Sequence, residues 1–162
     1  MRELWLKIDS SLPSEAKSNL VKATAKYCDG YVVEEDAGLV REIWGGKLAS
    51  RRDGDIVLVD SPQEVLEVKG EGKQAMVLIH LKSPGDMKTV SDYVEVSCDY
   101  VAIKCEDWKV IPIENLIAQS RGKTKILAFV SSVDEAKLML ETLEIGVDGV
   151  SVSYTHLTLP TN

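Results

Sequence analysis

The sequence predicts an α/β fold: a parallel (β/α) barrel-like domain of about seven βα units, incomplete, spanning residues 1–150. Three observations carry this expectation. Short apolar runs recur along the chain with helical stretches between them, which implies a parallel sheet covered by helices. Their length and β-branched content mark them as buried strands. No glycine-rich turn follows the first run, which favours a barrel lacking its closing element over an open doubly wound sheet.

The strand candidates are Leu4–Ile8, Gly30–Glu34, Asp55–Val59, Ala75–Leu81, Asp99–Lys104, Lys125–Val130 and Val147–Val152. The first helix is expected over Pro13–Tyr27, capped by Ser11 or Ser14, with Leu20, Ala23, Thr24 and Tyr27 at helical spacing. Ala37–Trp44 is shorter and stops at Gly45-Gly46. Ser61-Pro62 opens the next helix, which runs to Gly70, because proline suits a first helical turn. Asp86–Val94, Pro112–Ser120 and Val133–Leu143 complete the series. Ser131 or Ser132 caps the last, with Asp134 and Glu135 where the helix dipole favours acids. A weak repeat supports the βα reading: Cys28-Asp29-Gly30-Tyr31-Val32-Val33-Glu34 resembles Cys98-Asp99-Tyr100-Val101-Ala102-Ile103-Lys104, and Val147-Asp148-Gly149-Val150 starts alike.

At 162 residues the chain has room for one domain with a real core. Its 19 basic and 26 acidic side chains give a net charge of −7, which argues against nucleic acid or an anionic membrane as the main partner. The 6% of aromatic residues are not interleaved with a basic patch, so base stacking is unsupported as well. No apolar run approaches the ~18 residues of a membrane span, and no signal peptide opens the chain. Cys28, Cys98 and Cys105 are odd in number and lack metal-ligand or CxxC spacing, so a reduced cytoplasm is the simple reading. Oligomeric state is left open.

Residues 151–162, SVSYTHLTLPTN, carry no charged residue, although the overall 28% would place about three there. The stretch Val152–Thr161 looks like the translation of GTC TCT TAT ACA CAT CTG ACG CTG CCG ACG, a transposon-end adaptor of sequencing libraries. The expectation is that residues 151–162 are a non-native tail of adaptor read-through, to be left out of fold reasoning. His156 then carries no meaning and His80 is the one native histidine.

Strand parity selects the candidate chemistry. Leu6, Ile8, Val33, Ile79 and Ile103 supply the apolar, helix-facing side, so Lys7, Glu34, His80 and Lys104 fall on the opposite side of four strands. Charge within a buried strand is costly unless it is paired or faces a wet cavity. A polar cleft at the carboxyl ends of the strands follows, where a barrel places its active site. Asp9, Glu35, Asp36, Asp60, Lys82, Glu106 and Asp107 sit just past those ends, as caps, solvated charges or part of the cleft. A lysine held in such a cleft can serve as a base or an amine nucleophile.

Other patterns carry less. Gly70-Glu71-Gly72-Lys73-Gln74-Ala75 matches GxGxxA but lies after a helix and before a strand, the reverse of a dinucleotide turn. There is no HExxH, Walker loop, GxSxG or Cys/His metal pattern, so no metal is expected. Arg51-Arg52 reads as a solvated charge.

One stretch is specific enough to indicate a family. Glu106-Asp107-Trp108-Lys109-Val110-Ile111-Pro112-Ile113-Glu114-Asn115-Leu116-Ile117-Ala118 resembles the DWK-[IV]-IPLENLIA segment of the archaeal-type 3-dehydroquinate synthases. Gly54–Asp60 and Leu143–Val150 look like the same family's GDIVVVD and LEKGVDGV stretches, and Leu4-Trp5-Leu6-Lys7 its first strand. The resemblance implies a cytoplasmic, NAD-dependent enzyme of an alternative route into the shikimate pathway. It would oxidatively deaminate 2-amino-3,7-dideoxy-D-threo-hept-6-ulosonate, release ammonia and cyclise the product to 3-dehydroquinate. The metal-dependent bacterial synthase, by contrast, uses a seven-carbon phosphate ester. The family is about twice this length, with a later β-rich part, so this portion is expected to be inactive alone.

That reaction needs a base for the ammonium proton, a hydride path to nicotinamide and cations for the substrate carboxylate. Lys7 and Lys104 are assigned to carboxylate or carbonyl binding or to proton transfer, and Glu34 or Glu106 to the base. His80, Asp107 and Lys109 line the cleft and meet the amino sugar acid; Trp108 covers the site or anchors the core. The residues that bind NAD are not identified. Two alternatives stand beside this: a Schiff-base, aldolase-like barrel enzyme using Lys104 or Lys7, and a non-catalytic βα scaffold whose exposed edge after Val147–Val152 invites association.

Overall fold

A computed structural model describes residues 3–26, 28–52, 54–105, 118–120, 122–130 and 149–154. Its described strands are β1 (Glu3–Ile8), β2 (Gly30–Val33), β3 (Lys47–Ser50), β4 (Ile56–Val59), β5 (Gln74–Leu81), β6 (Tyr100–Cys105), β7 (Lys125–Val130) and β8 (Gly149–Tyr154). Helices α1 (Ser14–Thr24), α2 (Ala37–Ile43), α3 (Pro62–Gly70) and α4 (Met87–Glu95) lie between the earlier strands. Every neighbouring pair is parallel, and β8 pairs with both β7 and β1, so the sheet is a closed barrel.

The parallel (β/α) barrel is the architecture that strand–helix alternation implied. Two details differ. An eighth strand, β3, joins the ring, and the ring closes, so no free edge is left at the last strand. The stagger is right for such a ring. Backbone partners run from His80 through Lys104, Phe129, Ser151, Trp5 and Gly30 to Lys47. The same register continues through Gly54 to Gly72, eight residues below the start, which is the shear of a (β/α)8 barrel.

Only residues 51–55 separate β3 from β4, although parallel neighbours ordinarily need a long crossover. The chain instead doubles back against β3. A Cβ at Gly54 would lie 2.5 Å from the Leu48 carbonyl oxygen and 2.8 Å from the Ser50 nitrogen, so only glycine passes there.

Side chains sort into two layers by parity. Leu6, Ile8, Val33, Leu48, Ile79, Ile103 and Ile126 pack towards the helices. Trp5, Val32, Ala49, Ile56, Leu58, Met76, Tyr100, Ala102 and Leu127 fill the barrel. Trp5 is fully buried and meets Tyr100 edge-on, with ring centroids 5.3 Å apart. Gly30, beside Trp5 in register, makes room for it: a Cβ there would sit 2.6 Å from the indole. The repeated Cys-Asp-Xaa segments thus place tyrosine in the barrel at one strand and glycine under a tryptophan at another.

Local signals explain most helix ends. The Ser61 hydroxyl accepts from the Glu64 N–H at 3.2 Å and opens α3 with Pro62 in its first turn, as expected. α1 starts instead after Pro13 with no side-chain cap, because Ser11 turns its N–H and hydroxyl to Asp9. The expected helices over 112–120 and 133–143, with Ser131, Ser132, Asp134 and Glu135, lie outside the described residues except for a helical turn at 118–120. Four residues of the expected tail, 151–154, belong to β8. Backbone ladders accept any extended alternating segment, so Ser-Val-Ser-Tyr serves as strand whatever its origin. No helix of the described residues is long and apolar enough to cross a membrane.

Candidate active site

The parity that buries Trp5 in the barrel carries Lys7 to the inner face of β1 two residues nearer its carboxyl end. The same rule brings Glu34, just past β2, His80 near the end of β5 and Lys104 near the end of β6 to inner-face positions. His80 and Lys104 are direct partners across β5 and β6, and both are exposed. Lys7 and Glu34 are partly exposed on adjacent strands. Lys7 and Lys104 stand at the same end of the barrel, separated by β7 and β8. The four parity-selected residues therefore share one mouth, two to each side. Glu106, Asp107, Lys109 and Trp108 lie outside the described residues.

Two rim cations escaped the sequence reading. Arg51 follows β3 and is not a free surface charge. Its Nη1 donates to Asp60 Oδ2 at 2.7 Å and its Nη2 lies 3.9 Å from Glu34 Oε1. Without β3, nothing placed Arg51 at the rim; with it, Arg51 takes the inner parity of Ala49. Both arginines are exposed, as a solvated pair would be; Arg51 is ion-paired as well. The second is Lys17, whose side chain is 2% exposed and donates to Asp36 Oδ2 at 2.9 Å. Lys17, Leu20, Val21 and Thr24 form the buried stripe of α1 at i, i+3, i+4 and i+7, so a lysine at a core position was the available signal. Asp36 precedes α2 with φ 65 and points its carboxylate at Lys17 instead of capping the helix.

Two further acids at this end, Asp9 and Asp86, are held by their loops. The Ser11 hydroxyl, then the Ser11 N–H, hold the Asp9 carboxyl below the usual range, with smaller pulls from Lys7 and Lys17. The N–H groups of Lys82 and Ser83 do the same for Asp86, aided by the charges of Lys82 and His80. Asp86 and Ser83 form a reciprocal capping box that fixes the loop after β5. The result is a ring of ionisable side chains at successive strand ends: Lys7, Glu34, Arg51 and Asp60 alternate in sign, and His80 and Lys104 follow. Such a ring suits a small zwitterionic or anionic molecule, with donors for a carboxylate and acceptors for an ammonium group.

A closed parallel barrel with ionisable side chains around the carboxyl ends of its strands is the frame of a (β/α)8 enzyme domain. The same fold occurs in KGPDC from Streptococcus mutans, with a TM-score of 0.68 at 10% identity, covering 94% of this chain and 88% of that one. At that identity the likeness concerns the fold alone. Sequence goes further. Residues 1–158 match the 3-dehydroquinate synthase II N-terminal domain, and the chain belongs to that family. It is 34% identical over 160 residues to the 3-dehydroquinate synthase of Methanocaldococcus jannaschii, covering 94% of this chain and 44% of that protein. For the Methanothermobacter thermautotrophicus synthase the identity is 32%, covering 94% and 46%. The chain thus spans less than half the length of these curated relatives.

Proposed function

We propose that this chain is the barrel-forming part of an archaeal-type 3-dehydroquinate synthase. Its reaction is the NAD-dependent oxidative deamination of 2-amino-3,7-dideoxy-D-threo-hept-6-ulosonate and closure of the product to 3-dehydroquinate, for aromatic amino-acid biosynthesis in the cytoplasm. Membership of the family across residues 1–158 is the observation that supports this most. The charged ring supports it chemically, because the substrate carries a carboxylate, an ammonium and a ketone.

In this reading Lys7 and Lys104 bind the carboxylate and a carbonyl from opposite sides of the ring, and Glu34 takes the ammonium proton. His80, beside Lys104, meets the substrate from β5. Glu106, Asp107 and Lys109 follow directly on β6 in sequence, and Glu106 is the alternative base. NAD would supply the hydride acceptor. Among the described residues no nicotinamide-binding turn is identified: Gly70–Ala75 runs from α3 into β5 at the opposite end of the barrel from the charged ring, and no described rim turn is glycine-rich. The roles of Lys7, Glu34, His80 and Lys104 accordingly concern substrate and protons alone.

Lys7→Ala and Lys104→Ala, each in the full-length protein, are expected to lower turnover about tenfold or more. NADH absorbance with the amino sugar acid as substrate measures it. Near-normal turnover in both variants would discard the assignment.

A further inference from the structure

Three consecutive strand ends are tied together by one guanidinium. Glu34 follows β2, Arg51 follows β3 and Asp60 follows β4, all at positions with the parity of the barrel interior. The two contacts of Arg51 are unequal. The bond to Asp60 at 2.7 Å is a charge-assisted hydrogen bond, whereas 3.9 Å to Glu34 is attraction without one. Asp60 is itself well placed: its N–H donates to Glu64 Oε1 at 3.2 Å, and Glu64 donates its own N–H to the Ser61 cap. The start of α3 therefore anchors the Asp60 backbone, and the Asp60 carboxylate holds Nη1 of the guanidinium.

We propose that Arg51 is a positioning residue for Glu34, anchored by Asp60, and that it holds the Glu34 carboxylate at the barrel mouth with its oxygens free to take a proton. This rests on the synthase reading, in which Glu34 is the base. A planar fork can keep one edge on Asp60 and offer the other to Glu34, which a single ammonium cannot do. The separation matters: a carboxylate hydrogen-bonded to arginine commits lone pairs to it, while one at 3.9 Å is steered without that bond. The other charged groups near Glu34 are Lys7 and Asp9 from β1 and its end, Glu35 and Asp36 after β2, and Lys17 from α1, whose charge is committed to Asp36.

Two measurements test this. In the 162-residue chain, carbon-13 relaxation follows the order of the Glu34 side-chain terminus at neutral pH in wild type, Arg51→Gln, Arg51→Lys and Asp60→Asn. Loss of the cation in Arg51→Gln is expected to leave that terminus more mobile; Arg51→Lys restores part of the order, and Asp60→Asn gives a smaller loss. In the full-length protein, Arg51→Gln is expected to lower kcat about tenfold with KM little changed, with partial rescue by Arg51→Lys. An unchanged Glu34 order in Arg51→Gln, or an Arg51→Gln enzyme with wild-type kcat, would overturn the proposal. If Arg51→Gln fails to fold, Asp60→Asn and Arg51→Lys decide on the same readouts. A wild-type full-length protein that makes no 3-dehydroquinate refutes the synthase reading instead, and the relaxation measurement then decides the Arg51–Glu34 coupling by itself.

Discussion

Replacing Asp36 by asparagine strips the partner from a lysine that cannot reach bulk water. Lys17 is 2% exposed and holds Asp36 at 2.9 Å, while Asp36 is 43% exposed. Asparagine tolerates the left-handed backbone at φ 65, so the substitution removes charge without adding strain. Leaving one member of a buried pair uncompensated typically costs about 3–5 kcal/mol. Water reaches the Asp36 side, and Asp9 adds a weaker attraction, so about 2–3 kcal/mol is the reasoned cost here. With a urea slope of about 2 kcal/mol/M, the unfolding midpoint falls by about 1 M. Lys17→Met behaves oppositely. It keeps the buried stem and removes the charge that needs a partner, so it is expected to be within about 1 kcal/mol of wild type in either direction. The double variant should match Lys17→Met to within about 0.5 kcal/mol, giving a coupling of about 2 kcal/mol in the cycle. Equal costs for the two single variants, or an Asp36→Asn cost below about 0.5 kcal/mol, would refute the reasoning.

Other consequences can be measured on the same chain. Gly30→Ala drives a methyl into the indole of Trp5, which is pinned by Tyr100, and should destabilise by about 1–3 kcal/mol in urea unfolding; an unchanged midpoint would show that Trp5 can shift. The Asp86 carboxyl sits below its ordinary value of 3.8 because it accepts the Lys82 and Ser83 N–H groups. Its contribution is therefore present above that ordinary value and lost as pH falls through the lowered folded one. Asp86→Ala should flatten this part of the stability–pH curve, and a curve that keeps the wild-type slope argues against the assignment. Burial pushes the Cys98 thiol from 9.0 up to about 12, which leaves about a thousandfold less thiolate at neutral pH. Its modification by a thiol reagent should track global unfolding; rapid labelling of the native chain, located by peptide mapping, would contradict the packing around it.

The barrel was legible because two periodicities coincide. The same alternation that puts Ile8, Val33, Ile79 and Ile103 against helices turns Lys7, Glu34, His80 and Lys104 the other way, and the structure keeps both sides of that division. What escaped was β3. Lys-Leu-Ala-Ser is four residues between Gly45-Gly46 and a five-residue return, too short for a strand–crossover–strand reading. The closing strand was legible as a strand, but its pairing with β1 depends on the register of the whole ring, which no local pattern encodes.

That single omission accounts for the misplaced Arg51. A charged pair in a loop is ordinarily solvated, and the sequence around Arg51-Arg52 offers nothing to the contrary. Once Lys47–Ser50 pairs with β2 and β4, position 51 acquires a parity, a level and two acidic neighbours that lie 17 and 9 residues away in the chain. The site thus divides by the range of the interaction that builds it. Groups placed by their own strand's alternation were found from sequence. Groups whose meaning comes from a neighbour across the sheet, as with Arg51 between Glu34 and Asp60 or Lys17 against Asp36, required the pairing itself. Among the described strand ends, the second kind decides which carboxylates are committed to a partner.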